Sequence, residues 1–347
     1  MAMQQNLHGI LTMARIKKSA FEQKIPIHAT FELTPRCGFN CQMCYVHLSK
    51  EEIPNFGKEL TGDQWLDVAK QAQEMGVLSL CITGGDPLLH PDFKEIWIGL
   101  SRMGFKRILQ TNASLITDEI LELFEDYPPD LIKITLYGSN DEVYKRVCGI
   151  ENGFGKVDAN IKKLQEKGYP IQLVTTFTKL NKEDAQNIAR YAKENQLPWY
   201  HSSACYPSLR GAKSKADECA IDFFSPDCAK EMADLWTNLP AQKDDLPIKK
   251  CQGYGTEFNI SWNGNMIFCL FVEEPKLSVL DHSLEDCWQM FLEYCEHLRW
   301  PEECYICEVR DKCRRCLAHL ACLNGGLNKV NKKYCEQVKR MLAQADK

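Results

Sequence analysis

The segment HATFELTPRCGFNCQMCYV, residues 28–46, decides the fold because it joins a strand signal to a metal signal. His28 to Leu33 is a short run of β-branched, aromatic and aliphatic residues and predicts a strand. Thr34-Pro35-Arg36 ends it, since proline lacks the N–H that a sheet ladder needs. Cys37, Cys41 and Cys44 follow directly, with three and two residues between them, so three thiols are expected at the C-terminal end of the first strand. Three thiolates can hold three irons of a [4Fe-4S] cube and leave the fourth iron open, whereas ferredoxin-type clusters fill all four positions. The competing reading is a zinc site, which takes four ligands and would draw on Cys81 or a distant histidine.

Outward from this segment, five further strand candidates alternate with helical patterns: Val77 to Thr83, Arg107 to Thr111, Leu131 to Tyr137, Ile171 to Thr178 and Trp199 to Cys205. Gly62 to Met75 places Trp65, Val68, Ala69 and Ala72 on one helical face, with Thr61 and Gln64 in capping-box register and Gly76 as a stop. Asn181 is expected to cap the helix that contains Ile188, Tyr191 and Ala192. Repeated strand–helix alternation implies a parallel sheet with right-handed crossovers, wound open or curled toward a barrel. Active residues belong at the C-terminal ends of such strands.

The chain has 347 residues, 44% hydrophobic and 26% charged, which supplies ample buried core and excludes a disordered chain. Its net charge of −5 argues against nucleic acid as a partner. No apolar run reaches the roughly 18 residues of a membrane span, and MAMQQNLHGILTMARIKKSA lacks a sustained apolar core and a cleavage site, so a cytoplasmic protein without a membrane partner is expected. Eighteen cysteines in a chain of this length point to metal rather than disulfides. Ten of them fall between Cys251 and Cys335. The expected division is an N-terminal extension over 1–27, strand–helix units over 28–205, a bridging segment over 206–250, and a turn-rich, cysteine-dense region over 251–347 whose folding leans on bound metal.

The triplet at this spacing on a first strand resembles the signature of radical S-adenosylmethionine (radical SAM) enzymes. The resemblance covers roughly residues 28–205 and implies a partial (β/α)6 TIM-like barrel. It further implies that a cluster on Cys37, Cys41 and Cys44 binds SAM at its open iron and cleaves it reductively to a 5′-deoxyadenosyl radical. Thr83-Gly84-Gly85-Asp86-Pro87 is similar to the family's glycine-glycine-glutamate segment, which implies that Gly84, Gly85 and Asp86 meet the SAM amino group. Gln110-Thr111-Asn112 and Thr135-Leu136-Tyr137-Gly138 end the third and fourth strands, where Asn112 and Thr135 are expected beside ribose and carboxylate. Met43 stands where the family has an aromatic residue against adenine, with Tyr45 as a nearby ring.

The later cysteines resemble the SPASM extension of radical SAM enzymes, a small α+β domain that houses two auxiliary [4Fe-4S] clusters. By the family's interleaved scheme Cys304, Cys307, Cys313 and Cys335 would hold one, and Cys251, Cys269 and Cys316 the other. The fourth position of that second cluster is open or filled by Cys322. Paired zinc ribbons are the competing reading. Ser261-Trp262-Asn263-Gly264 reads as a hairpin turn, for which Asn-Gly favours type I′ geometry. Cys205 is expected at the active face as a tentative catalytic residue, whereas Cys81, Cys148, Cys287 and Cys295 read as small buried hydrophobes or carry no assigned role.

What the resemblance implies for function is hydrogen abstraction from a ribosomally made peptide, forming a thioether or carbon–carbon crosslink. A flavodoxin- or ferredoxin-type reductant is expected, with a separate leader-binding protein as a further partner. The alternatives are sulfatase-maturase-type formylglycine formation, against which Leu270 stands where that group has an acid, small-molecule dehydrogenation, and a non-enzymatic metal-binding electron carrier.

Overall fold

The structure is a computed structural model that describes residues 2–225, 232, 234, 251, 253–313, 316–324, 326 and 329–345. Most of the expected bridging segment, from 226 to 250, lies outside the described residues. A helix, α1 (Ala2–Gln23), precedes six strand–helix units. The strands are β1 (His28–Glu32), β2 (Ser79–Thr83), β3 (Lys106–Thr111), β4 (Leu131–Thr135), β5 (Ile171–Thr176) and β6 (Trp199–Ser202). All six pair in parallel and in sequence order, which is the curled α/β sheet expected of a partial barrel.

Side-chain alternation sorts the two faces of this sheet. Ala29, Phe31, Leu80, Ile82, Leu109, Ile132, Ile134 and Leu173 point outward and are fully buried. They meet α2 (Gly62–Glu74), α3 (Phe93–Arg102), α4 (Asp118–Asp126), α5 (Asp141–Cys148), α6 (Gly153–Glu166) and α7 (Ala185–Glu194) through residues such as Trp65, Trp97, Val147, Ile161 and Ile188. Parallel strands are usually apolar on both faces. Here the inner face carries Thr30, Gln110, Lys133, Thr135 and Gln172 interleaved with apolar Ile108, Leu131 and Val174, all half-buried.

The Thr61–Gln64 capping box forms as expected and Gly76 closes α2 at φ +100°. Asn181 does not cap α7. Its carboxamide accepts from the Thr178 N–H (2.7 Å) and donates to the Tyr137 and Thr176 carbonyls, tying the loops after β4 and β5 together. A short α8 (Ala216–Cys219) follows β6.

The sheet continues beyond the six units. β7 (Glu257–Ile260) lies parallel to β1, and β8 (Asn265–Ile267) and β9 (Leu277–Ser278) extend it antiparallel. The β7–β8 hairpin is present, but its turn is not type I′: Gly264 accepts the positive φ (+79°) while Asn263 does not. The Gly264 N–H instead closes on the Ser261 carbonyl at 2.9 Å, because Trp262 is drawn into a buried cluster with Val46, Leu48 and Ile53. The cysteine-dense region adds α9 (Leu284–His297), α10 (Glu302–Tyr305), α11 (Leu317–Asn324) and α12 (Lys332–Ala345). Among the described residues, no helix is long and apolar enough to cross a membrane.

Candidate active site

The loop after β1 is fixed from two sides by backbone hydrogen bonds. On one side the Gly85 N–H donates to the Thr34 carbonyl (2.7 Å) and the Asp86 N–H to the Arg36 carbonyl (2.7 Å). Glycine is required there, since a Cβ on Gly84 would strike the Thr34 carbonyl and one on Gly85 the Pro35 and Arg36 carbonyls. On the other side Asn40 and Gln42 donate to the Cys148 and Val147 carbonyls at the end of α5. The loop so held presents Cys37, Cys41 and Cys44 to a cavity of about 190 Å³ at the C-terminal end of the barrel strands.

Nearly every expected cofactor residue lines this cavity: Met43 and Tyr45 beside the thiols, Gly84 and Gly85 after β2, Asn112 after β3, Thr135 at the end of β4. Asn112 Nδ2 donates to Cys37 Sγ at 3.4 Å. Cys205 lines it too, three residues past β6. Its thiol, pushed up to about 11 chiefly by burial, points to the Ala216 carbonyl at 3.5 Å.

Asp86 behaves differently from the expectation of an ammonium partner. It is fully buried and its carboxylate is satisfied within the fold: Oδ2 accepts from Thr111 Oγ1 (2.7 Å) and the Asn112 N–H (3.1 Å), and Oδ1 from the Leu88 N–H (3.1 Å). Asp86 does not line the cavity; it sets the backbone of Asn112, which does. Burial pushes its pKa up to about 6 against these hydrogen bonds.

The thiols are suited to a positively charged guest. Burial pushes Cys44 up to about 12 and Cys37 higher, and contact with Cys148, then burial, holds Cys41 well above the ordinary thiol range. Such thiols stay protonated until metal charge displaces the proton. Three thiols presented to one cavity are a donor set that a polynuclear iron–sulfur cluster takes.

Sequence reasoning did not find the opposite wall. Tyr206 and Phe271 line the cavity, stacked at 3.9 Å between ring centroids, and Tyr45 meets Phe271 edge-on at 4.9 Å. Behind Tyr45 lies a buried network. Its hydroxyl donates to Glu32 Oε2 (2.9 Å), and Arg210 Nη2 alone donates to both Glu32 oxygens at 3.0 Å. Glu32 is 0% and Arg210 4% exposed; burial pushes the Glu32 carboxyl up, with Arg210 and Tyr45 opposing. Arg210 reaches on to the Leu270 carbonyl (3.2 Å), and its own N–H donates to Glu273 (2.7 Å). The available signal was an acid on the inner register of β1, where Thr30 and Glu32 share a face.

Two further thiol groups stand apart from the first. Cys304, Cys307, Cys313 and Cys335 line one small cavity of about 40 Å³ with Tyr334 and Val338. Cys251, Cys269 and Cys316 lie close enough to act on one another's thiols, next to the Tyr206–Phe271 pair. The Tyr206 hydroxyl lies 3.8 Å from Cys316 Sγ, Cys322 Sγ donates to the Phe271 carbonyl at 3.5 Å, and burial together with Cys251, Cys316 and Cys322 pushes Cys269 up to about 11. Cys81, Cys287 and Cys295 are buried in the strand and helix expected of them, and Cys148 is buried against Cys41.

Residues 31–192, which run from the end of β1 through β5 and hold the three-thiol loop and the glycine edge, match the Radical SAM superfamily. The chain is 27% identical over 326 residues to the AdoMet-dependent heme synthase of Methanosarcina barkeri, with 85% of this chain and 92% of that protein covered. It is 30% identical over 174 residues to the antilisterial bacteriocin subtilosin biosynthesis protein AlbA of Bacillus subtilis, covering 50% of this chain and 38% of AlbA. Among solved structures, Streptococcus suis SuiB bound to its precursor peptide SuiA shares the fold at a TM-score of 0.68 and 17% identity, over 95% of this chain and 81% of SuiB.

Proposed function

We propose that this chain is a radical SAM enzyme with a SPASM-like auxiliary region, which abstracts hydrogen from a peptide substrate and closes a thioether or carbon–carbon crosslink. The observation that carries the reading is that Cys37, Cys41, Cys44 and the expected SAM contacts other than Asp86 share one cavity. A [4Fe-4S] cluster on those three thiols would supply the electron that cleaves SAM and yields a 5′-deoxyadenosyl radical. Gly84 and Gly85 give close backbone approach for the methionyl end, Asn112 and Thr135 offer hydrogen bonds to its polar groups, and Met43 and Tyr45 pack the adenine. The Tyr206–Phe271 wall excludes water from the radical side. For each link formed the peptide would lose two hydrogens, one as an atom to 5′-deoxyadenosine and one as a proton, and a cluster held by the later cysteines would supply the acceptor for the remaining electron. The two auxiliary [4Fe-4S] clusters are assigned to Cys304, Cys307, Cys313 and Cys335, and to Cys251, Cys269 and Cys316. A flavodoxin- or ferredoxin-type protein would supply the first electron, and a separate leader-binding protein would deliver the peptide.

AlbA and the peptide-bound SuiB fold support the substrate class. The near end-to-end similarity to a heme synthase favours a second reading, an AdoMet-dependent step of heme synthesis. Anaerobically reconstituted enzyme with dithionite and SAM separates the two. A peptide encoded beside the gene that triggers 5′-deoxyadenosine release and loses 2 Da supports the first. Formation of heme with no response to that peptide overturns it in favour of the second.

A further inference from the structure

The aromatic wall of the thiol cavity also borders the Cys251, Cys269 and Cys316 group. Tyr206 and Phe271 line the cavity that Cys37, Cys41 and Cys44 face, with their rings 10° from parallel. Tyr45, next in sequence to Cys44, meets Phe271 edge-on. At its other end Tyr206 brings its hydroxyl to 3.8 Å from Cys316 Sγ, within hydrogen-bond reach of a sulfur. Cys322 donates to the carbonyl of the same Phe271 at 3.5 Å. One stacked ring pair therefore touches both the cavity and the later thiols.

The pair is held in place from both sides. Downstream of Tyr206, the Leu209 N–H donates to the Tyr45 carbonyl (2.8 Å) and the Arg210 N–H to Glu273. Phe271 sits in a tight turn that the Val272 N–H closes on the Cys269 carbonyl at 2.9 Å. Either atom of the Tyr206–Cys316 pair can donate while the thiol keeps its proton. A sulfur that ligates metal is a thiolate and only accepts, so the phenol, protonated at neutral pH, is then the donor. A hydrogen bond to a ligand sulfur favours the reduced, more negative state of a cluster and raises its potential.

We propose that Tyr206 is a positioning residue for electron transfer: its hydroxyl donates to the Cys316 thiolate and raises the reduction potential of the cluster on Cys251, Cys269 and Cys316. That makes this cluster the acceptor for the electron released beside it in the cavity. The substrate radical is oxidised by one electron as its proton leaves to solvent, and the cluster is reduced by that electron. The inference rests on the reading of the later cysteines as cluster ligands.

The test is potentiometric titration of the anaerobically reconstituted holoenzyme, followed by paramagnetic resonance, for the wild type and Tyr206→Phe. The variant keeps a ring on Phe271 and removes only the hydroxyl. Adding SAM marks the triplet's signal as the one it perturbs. Tyr206→Phe should lower the midpoint of one SAM-insensitive transition and leave the others in place. The same reduced cluster should lose one proton coupling that exchanges in deuterium oxide, read by electron–nuclear double resonance. Midpoints that all stay, or all move together, overturn the proposal, as does an exchangeable coupling unchanged in the variant. Iron content per chain shows that both proteins carry their clusters. A failure of the cluster reading looks different: a reconstituted wild type with the SAM-sensitive transition alone and iron for a single cube.

Discussion

At the scale of single residues, the site divides into groups that touch the cavity and groups that place them. Cys41 is of the first kind. Cys41→Ala should abolish 5′-deoxyadenosine formation while leaving the iron of the later thiol groups bound, a loss of about one third of the total if all three groups carry cubes; unchanged SAM cleavage would refute the triplet's assignment. Asp86 is of the second kind. Its folded pKa of about 6 lies above the unfolded value near 4, so its contribution to stability is fully present below about pH 4 and is lost as the pH rises through 6. Urea denaturation of the metal-free protein should therefore show the wild type's advantage over Asp86→Asn shrinking between pH 5 and 7. A gap that widens would mean that the carboxylate is stabilised as an anion.

At the scale of elements, short-range chemistry fixes where helices and loops start and stop. The Thr61–Gln64 box satisfies two N-terminal groups of α2, and Thr61→Ala should cost about 1 kcal/mol in thermal or chemical unfolding without altering SAM cleavage. Gly85 acts through the neighbouring loop. Gly85→Ala would force the thiol loop off the β2 edge, and the expected result is loss of iron at the triplet in a protein whose far-ultraviolet circular dichroism is unchanged. The hairpin at Ser261–Gly264 shows the limit of local rules: Asn-Gly signalled a turn, and burial of Trp262 selected a different one. Asn181 shows the same limit, a good capping residue whose carboxamide found stronger partners in two loop carbonyls.

At the scale of the whole molecule, a buried ion pair joins three distant stretches. Glu32 ends β1, Arg210 follows the last barrel strand, and Leu270 and Glu273 flank the Phe271 wall. Arg210→Met strands a buried carboxylate and should destabilise the protein by about 3–5 kcal/mol, with the Glu32→Gln/Arg210→Met double variant recovering part of the loss in the same denaturation assay. No recovery would mean that Arg210 acts through packing alone.

By itself the sequence determined the order and direction of the six strands, the three-thiol loop and many of the residues that line the thiol cavity. Those features depend on side-chain periodicity, turn chemistry and spacing within short stretches, and such forces act between neighbours along the chain. Only the tertiary structure decided that β7 joins β1, that Tyr206 and Phe271 line the cavity and that Asp86 turns inward. Each of these is a contact between residues far apart in the chain, settled by which groups burial brings together.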